Sequence, residues 1–355
     1  MSSTVLHHSN IEENVRNAFS VIAKYKSIVR EESESQLSKV TFCPFDLSED
    51  VQPTIAIDGS YAPIFRSASM WVVAVRAAAL TYRFSQGQSP SYEVVGCEIN
   101  EGAELITISL RIAKELPSFS QELTFITAAK RSEAPKKMSA YARIYKEYQL
   151  AHIMAKTRRN SLILMDGTFS TPPVKTIKTL ADETLEACEE NGNTLVGVSK
   201  DSNTNHLGSV ATDEEILRTI RRQELLYVKV PNTKKTSLGP RGDVYFAKLH
   251  ADSPKWFRVD IASSPEDPAK IFGSLAQFAR NQLSIGYPVP LVEAHMMAVE
   301  LRKYPNLYDE LLFKVGQEMG LNLEEIAWGR TNVEGRRLDA FHSYLDLLAK
   351  RGTTR

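Results

Sequence analysis

Apolar positions in this chain follow a helical rhythm, then a strand rhythm, then an alternation of the two. Ile11, Val15, Phe19 and Ile22 recur at helical spacing, with Asn10 and Glu13 placed as a cap and its reciprocal partner, so the pattern predicts an opening helix. A polar linker is expected around Glu31 to Ser38. Three strands follow: Thr54–Ile57, Met70–Arg83 with its Trp71, Val73, Val75 alternation, and Tyr92–Ile99. Their short connections predict an antiparallel meander. Residues 101–137 read as an irregular insertion with some helix, ending in a loop at Pro135-Lys136-Lys137. The rhythm then changes to a helix over Met138–Lys156, a strand over Ser161–Met165, a helix over Val174–Asn191 closed by Gly192, and a strand over Thr194–Ser199.

The resulting order is β-β-β-α-β-α-β. Connections across a helix favour parallel neighbours, so the fourth strand is expected beside the first, on the side opposite the meander. Beyond Asp201 come three further strand candidates, Leu225–Val230, Asp243–Leu249 and Trp256–Ile261, with a Lys/Gly/Pro loop at Asn232–Gly242. A helix over Leu291–Arg302 and shorter helical runs at Leu307–Met319 and Arg337–Lys350 complete the pattern. The expected organisation is a helical segment over 1–50, a main α/β domain over 51–303 with insertions at about 101–137 and 202–270, and a helical extension over 304–355.

Composition narrows the class without deciding the function. Of 355 residues, 43% are hydrophobic and 24% charged, which suits a globular chain with a substantial core. Lys+Arg and Asp+Glu are balanced at 43 each, so any nucleic-acid binding must come from local patches. Cys43, Cys97 and Cys188 are far apart and match neither a disulfide framework nor a zinc-ligand spacing. With no basic leader at Met1–Asn10 and no apolar run long enough to span a bilayer, a protein of the reducing cytoplasm is expected.

Two apolar runs end in one device, Thr54-Ile55-Ala56-Ile57-Asp58-Gly59-Ser60 and Ser161-Leu162-Ile163-Leu164-Met165-Asp166-Gly167-Thr168. Each reads as a strand that delivers an aspartate to the sheet edge, where glycine lets the backbone turn away at once. In open sheets ligands bind at the carboxyl ends of strands where strand order reverses, and Asp58 and Asp166 are expected at two such ends. Like charges brought together in a partly desolvated cleft are costly, and a bound cation offsets that cost. The plain alternative is ordinary Asp-Gly turn chemistry.

This layout, with an aspartate ending the first and fourth strands, is that of the ribonuclease H-like fold. There a third carboxylate comes from the first helix, where Glu147 stands, and a fourth ligand from a late helix. Four features together resemble the NurA nuclease family over roughly residues 10–300. They are the Glu147…Asp166 spacing, the paired Asp-Gly-[Ser/Thr], the Ser199-Lys200-Asp201 strand end, and Gly286-Tyr287-Pro288-Val289-Pro290-Leu291-Val292-Glu293-Ala294-His295. The resemblance implies a manganese-dependent nuclease of single- and double-stranded DNA, often 5′ to 3′. It also implies a ring-like homodimer that works beside the hexameric ATP-driven translocase HerA in DNA-end resection. Residue by residue it implies Asp58, Glu147, Asp166 and His295 as the metal-binding set and Tyr287 as the aromatic near the site.

Phosphodiester hydrolysis calls for a strong nucleophile and neutralised phosphoryl charge, which two hard cations about 3.5–4 Å apart supply. Carboxylates suit Mg²⁺ and Mn²⁺, and an added imidazole favours Mn²⁺. Asp58 is the expected bridge between two ions, and Lys200 is a candidate fixed positive charge beside the phosphate. Each residue has a plainer reading. Glu147 can be a helical carboxylate paired with Arg143 at i−4, with Glu98 and Glu101 as substitutes; His295 can be a core histidine; Tyr287-Pro288 can simply stop the chain before a helix. His206, His250 and His342 fall in no motif.

Basic residues gather at Lys156, Arg158 and Arg159, at Lys130-Arg131 with Lys136-Lys137, and at Lys234-Lys235 with Arg241. They are either a solvated surface or the path of the DNA backbone. Tyr141, Tyr145, Tyr245 and Phe246 nearby are either base-stacking groups or core. Two other functions compete with the nuclease. One is a catalytically inactive clamp or regulator of a DNA translocase. The other is an actin-like ATP handler, for which the chain lacks a glycine-rich adenosine segment and a P-loop pattern.

Overall fold

The structure is a computed structural model that describes residues 4–66, 70–85, 91–99, 104–109, 134–207, 210–220, 222–231, 242–262, 267–303 and 305–320. Helix α1 (Thr4–Leu37) leads into strands β1 (Phe42–Pro44), β2 (Thr54–Arg66), β3 (Met70–Ser85), β4 (Ser91–Ile99) and β5 (Glu104–Ser109). Then come α2 (Ala134–Thr157), β6 (Leu162–Asp166), α3 (Lys175–Glu190), β7 (Thr194–Ser199) and the short α4 (Asp213–Leu217). Strands β8 (Leu226–Lys229), β9 (Asp243–Lys248) and β10 (Phe257–Ile261) precede α5 (Pro268–Phe278), α6 (Val289–Val299) and α7 (Pro305–Glu318). The mixed α/β order anticipated for a ribonuclease H-like fold is realised by β2, β3, β4, α2, β6, α3 and β7. Among the described residues, no helix is long and apolar enough to cross a membrane.

The chain divides into two compact units. One comprises Val51–Asp166, Ser170–Leu195 and the described residues from Pro290. Its strands run in the order β6-β2-β3-β4, with β5 also on β3. β2 and β3 pair antiparallel, as do β3 and β4, while β2 and β6 run parallel from Thr54↔Leu162 to Ile57↔Met165. Residues 54–57 and 162–165 are buried throughout, the near-continuous apolar run expected of parallel strands covered on both faces.

Three differences from the sequence reading appear in this unit. β2 does not stop at Asp58 but continues to Arg66, because β3 goes on pairing with it after β6 has ended. β5 forms within the supposed irregular insertion, where Glu104–Ser109 pairs with Met70–Val75. Pro135 lies in the first turn of α2 and not in a loop, a position where a proline's missing N–H costs nothing.

Asn193 fixes the spacing of α2 and β6. Its amide nitrogen donates to the carbonyls of Ala155 (3.0 Å) and Arg158 (2.8 Å), and its Oδ1 accepts from the Ser161 N–H (3.0 Å). The first two bonds satisfy carbonyls at and just beyond the last turn of α2, which the helix itself leaves open. Thr194 N–H donates to Ser161 O, and Gly192, at φ +66°, turns the chain out of α3 toward this junction. α3 is amphipathic, burying Ile177, Ala181, Thr184, Ala187 and Cys188.

The second unit comprises the chain up to Asp50, Gly167–Phe169 and Val196–Val289. Its antiparallel strand order is β1-β8-β9-β10-β7. Leu207, Ile216, Leu226, Val228, Phe246 and Trp256 form a core against which Val29 and Leu37 of α1 pack. The polar stretch expected as a linker at Glu31–Ser38 is helical through Leu37, with its inner side tied to the rest of the unit. Glu32 accepts the backbone N–H groups of Val210 and Ala211, and Ser33 is buried with its hydroxyl on Val29 O. Two helices are absent from the sequence reading although their starts are signalled. α4 opens with a Thr212/Glu215 capping box, and α5 opens with Asp267 as cap and Pro268 in its first turn.

The turn after β6 is held in this unit by main-chain and side-chain bonds. Gly167 has φ +113°, a conformation that favours glycine, and its N–H donates to Val198 O at 2.9 Å. Phe169 N–H donates to Asp260 Oδ2 (3.2 Å), while Arg258 grips the same carboxylate at 2.7 and 2.9 Å. Both members of that ion pair are buried.

Replacing Asn193 with alanine strands two buried backbone groups and a third that is partly buried, and an unsatisfied buried group costs about 1–3 kcal/mol. Asn193→Ala is therefore expected to lower the free energy of unfolding by at least about 2 kcal/mol. A urea midpoint equal to that of the unsubstituted protein would show that the junction does not depend on this side chain.

Candidate metal centre

The parallel register that ends at Ile57↔Met165 places Asp58 and Asp166 at the next step of two adjacent strands. Their side chains therefore leave the sheet on the same side. Asp166 is the last residue of β6, and past it β2 has β3 alone for a neighbour among the described residues. Groups on either side of β2 can thus reach Asp58 around the open edge.

From α6 comes His295, whose Nδ1 lies 2.7 Å from Asp58 Oδ2. α6 is fastened on both sides of that histidine. The Tyr82 hydroxyl on β3 donates to Glu293, Arg76 Nη1 donates to Met297 O at 3.5 Å, and Arg76 also meets Glu300 at 3.6 Å. Asp58, Asp166 and His295 each offer a ligand atom, and these atoms lie within 4.8 Å of one another. Asp58 is 1% exposed and the imidazole 45%, so the cluster runs from the interior to the surface.

On the opposite face α2 presses directly against β2. A Cβ at Gly59 would stand 2.7 Å from Glu147 Oε1, 2.9 Å from Glu147 Cγ and 3.0 Å from Arg143 Cγ. Gly59 is therefore required for the approach of a helix and not for the turn that the sequence suggested. Arg143 Nη1 donates to Glu147 Oε1 at 2.5 Å and stands 3.8 Å from Asp58 Oδ1, which also accepts the Gly59 N–H at 2.7 Å. Burial is the main reason that the Glu147 carboxyl is pushed up to about 8. Arg143 opposes that rise, Asp58 and Asp166 add to it, and the Gly59 N–H opposes it. The Arg143 guanidinium is in turn raised, first by Glu147, with burial working against it and Asp58 and Asp166 contributing further.

This donor set fits a hard divalent ion. Two carboxylates and an imidazole converge, a third carboxylate is buried beside them, and one positive side chain faces three acids. The family model of the NurA domain matches residues 53–300.

The chain belongs to the NurA family.

Among curated proteins none matches it by sequence. The crystal structure of the NurA nuclease from Sulfolobus solfataricus is similar, with a TM-score of 0.56 at 15% identity over 89% of this chain and 98% of that one. A further crystal structure of NurA gives 0.50 at 11% identity over 84% and 97%. At such identities the likeness is one of fold.

All six residues singled out by the sequence as catalytic lie within the NurA match, but the structure does not gather them equally. Asp58, Asp166 and His295 converge; Glu147 is buried beside Asp58 with Oε1 turned to Arg143. The plain i−4 pairing of Glu147 with Arg143 is thus present, though in the interior and not on a solvated helix face. Tyr287 and Lys200 belong to the other unit, where Lys200 Nζ sits 5.4 Å above the Tyr287 ring and Tyr287 packs on Phe257 at 5.4 Å. Lys156 and Arg159 are exposed and Arg158 is half-buried, at and just past the end of α2. Tyr145, Tyr245 and Phe246 are buried and serve the core. Glu101, Lys130, Arg131, Lys234, Lys235, Arg241 and His342 lie outside the described residues, as do the side chains of Glu98, Lys136 and Lys137. Sequence reasoning missed the anchoring pair Tyr82–Glu293 and the packing role of Gly59. Only the presence of Glu293 two residues before His295 hinted at the first.

Gly59→Ala forces a methyl group into the α2 contact, and overpacking of this kind costs about 1–3 kcal/mol. The expected result is a matching drop in unfolding free energy by chemical denaturation. An unshifted transition would mean that α2 yields without penalty.

Proposed function

We propose that this NurA-family chain is a divalent-metal-dependent nuclease that hydrolyses phosphodiester bonds in DNA. The observation that carries the proposal is the convergence of Asp58, Asp166 and His295 from three separate elements onto a common point. Family membership and the fold shared with a NurA nuclease support it. The residues assigned to hold the metal are Asp58, Asp166 and His295, with Glu147 as the fourth member. Mn²⁺ suits a set of carboxylates and one imidazole better than Zn²⁺ does, with Mg²⁺ as the alternative, and two ions are proposed.

A divalent ion bound there supplies an acidified water and neutralises charge on the phosphoryl oxygens. The protein's own groups do the positioning. Asp58 is held by the Gly59 N–H and by His295, so its carboxylate is already oriented within the cluster. The Tyr82 and Arg76 contacts fix α6 and hence the imidazole. Lys200, held over Tyr287, is assigned to contact the DNA backbone, and Lys156, Arg158, Arg159, Lys234, Lys235 and Arg241 supply the basic path that a chain of balanced charge otherwise lacks. We further propose 5′–3′ exonuclease and single-strand endonuclease activity, residues 51–303 as the nuclease domain, and a homodimer acting with a HerA-like hexameric ATPase in DNA-end processing.

The test uses end-labelled single-stranded DNA with Mn²⁺, Mg²⁺ or EDTA. Cleavage by the unsubstituted protein is expected with metal and not with EDTA. Asp58→Asn and Asp166→Ala are each expected to lower it by about a hundredfold or more. Without metal, Asp58→Asn is expected to melt at the same temperature or slightly higher, since one charge is removed from a repulsive cluster. Metal-dependent degradation that survives both substitutions would remove the site assignment. No degradation at all would favour the inactive clamp.

A further inference from the structure

We infer that Arg143 is the built-in counter-ion of the acidic cluster: it supplies the positive charge that holds Asp58 and Glu147 together, and a divalent ion must overcome it to bind. This inference rests on the reading of Asp58, Asp166, Glu147 and His295 as the metal-binding set. Arg143 does not look like an ordinary helical ion-pair member. A solvated i,i+4 pair contributes only a few tenths of a kcal/mol. Here the glutamate side chain is 5% exposed and the second acid, Asp58, 1% exposed, on a different element. Two carboxylates buried that deeply require a cation or a proton close by. A single guanidinium nitrogen lies 2.5 Å from Glu147 Oε1 and 3.8 Å from Asp58 Oδ1.

The arginine is also set in place along its length. Its Cγ lies 3.0 Å from where a Cβ at Gly59 would stand, so the side chain runs against the strand. At 28% exposed it is itself half-buried beside the two carboxylates. A divalent ion drawn to the same carboxylates meets a like charge at short range, where repulsion in a partly buried site is strong. The coupling is reciprocal: the ion loosens the hold of Arg143 as much as Arg143 opposes the ion. Arg143 thus sets metal affinity through charge, as a positioning residue that need not touch the reacting atoms.

Mn²⁺ binding is measured by calorimetry, and thermal melting with and without Mn²⁺, on the full chain and its Arg143→Gln and Arg143→Lys variants. Arg143→Gln is expected to bind Mn²⁺ at least about tenfold tighter, to melt lower without metal, and to recover its melting temperature at saturating Mn²⁺. Arg143→Lys, which keeps the charge, is expected to bind within about threefold of the unsubstituted protein. Equal or weaker Mn²⁺ binding by Arg143→Gln would overturn the inference. If that variant does not fold, Glu147→Gln is compared with the double variant Arg143→Gln/Glu147→Gln, in which a neutral pair replaces the ionic one. Tighter binding by the double variant supports the inference, and equal or weaker binding overturns it. Failure of the underlying site reading is distinguishable: the unsubstituted protein would then bind no Mn²⁺, or Asp58→Asn would bind it equally well.

Discussion

Burial of the Asp58 carboxylate is the constraint around which the site is arranged. An anion 1% exposed cannot be left to itself, and three structural decisions answer it. β6 stops one residue past its last pairing with β2, which opens the strand edge at this position. α2 lies close enough for Arg143 to approach from one face. α6 is fastened so that His295 approaches from the other. Each of the three bears on how that one buried charge is accommodated.

The approach of α2 is itself conditional on small details far from the carboxylate. Asn193 secures the helix end to the start of β6, so the level of Glu147 on α2 and the level of Asp166 on β6 are set by one junction. The turn leaving Asp166 is secured separately in the other unit, through Gly167 and the buried Arg258–Asp260 pair.

Much of this was legible in the residues. The pattern of apolar runs yielded every strand of the β2–β3–β4–α2–β6–α3–β7 order, because each strand is long or buried on both faces and so carries a strong periodic signal. Parallel pairing of the two aspartate-bearing strands followed from connection rules, and with it the meeting of Asp58 and Asp166. What escaped depended on tertiary partners. The Asp58-Gly59 step read as a turn because glycine serves both turns and close packing, and only the presence of Glu147 and Arg143 above it decides between them. Glu31–Ser38 reads as a linker because its residues are polar, while the backbone groups that Glu32 accepts lie far along the chain. Tyr287, expected from the resemblance, and Lys200, expected from its place just past a strand, pack on each other in a way that spacing alone does not reveal.

The closeness of strand and helix at Gly59 has a consequence for how such a chain can change over time. Residues 59 and 147 are remote in sequence but share one small volume, in which a larger side chain at 59 costs stability unless the acid at 147 gives way. Changes at the two positions are therefore coupled, for instance alanine at 59 relieved by the shorter aspartate at 147. That linkage would be visible as paired substitution among relatives whose overall identity has otherwise drifted close to background.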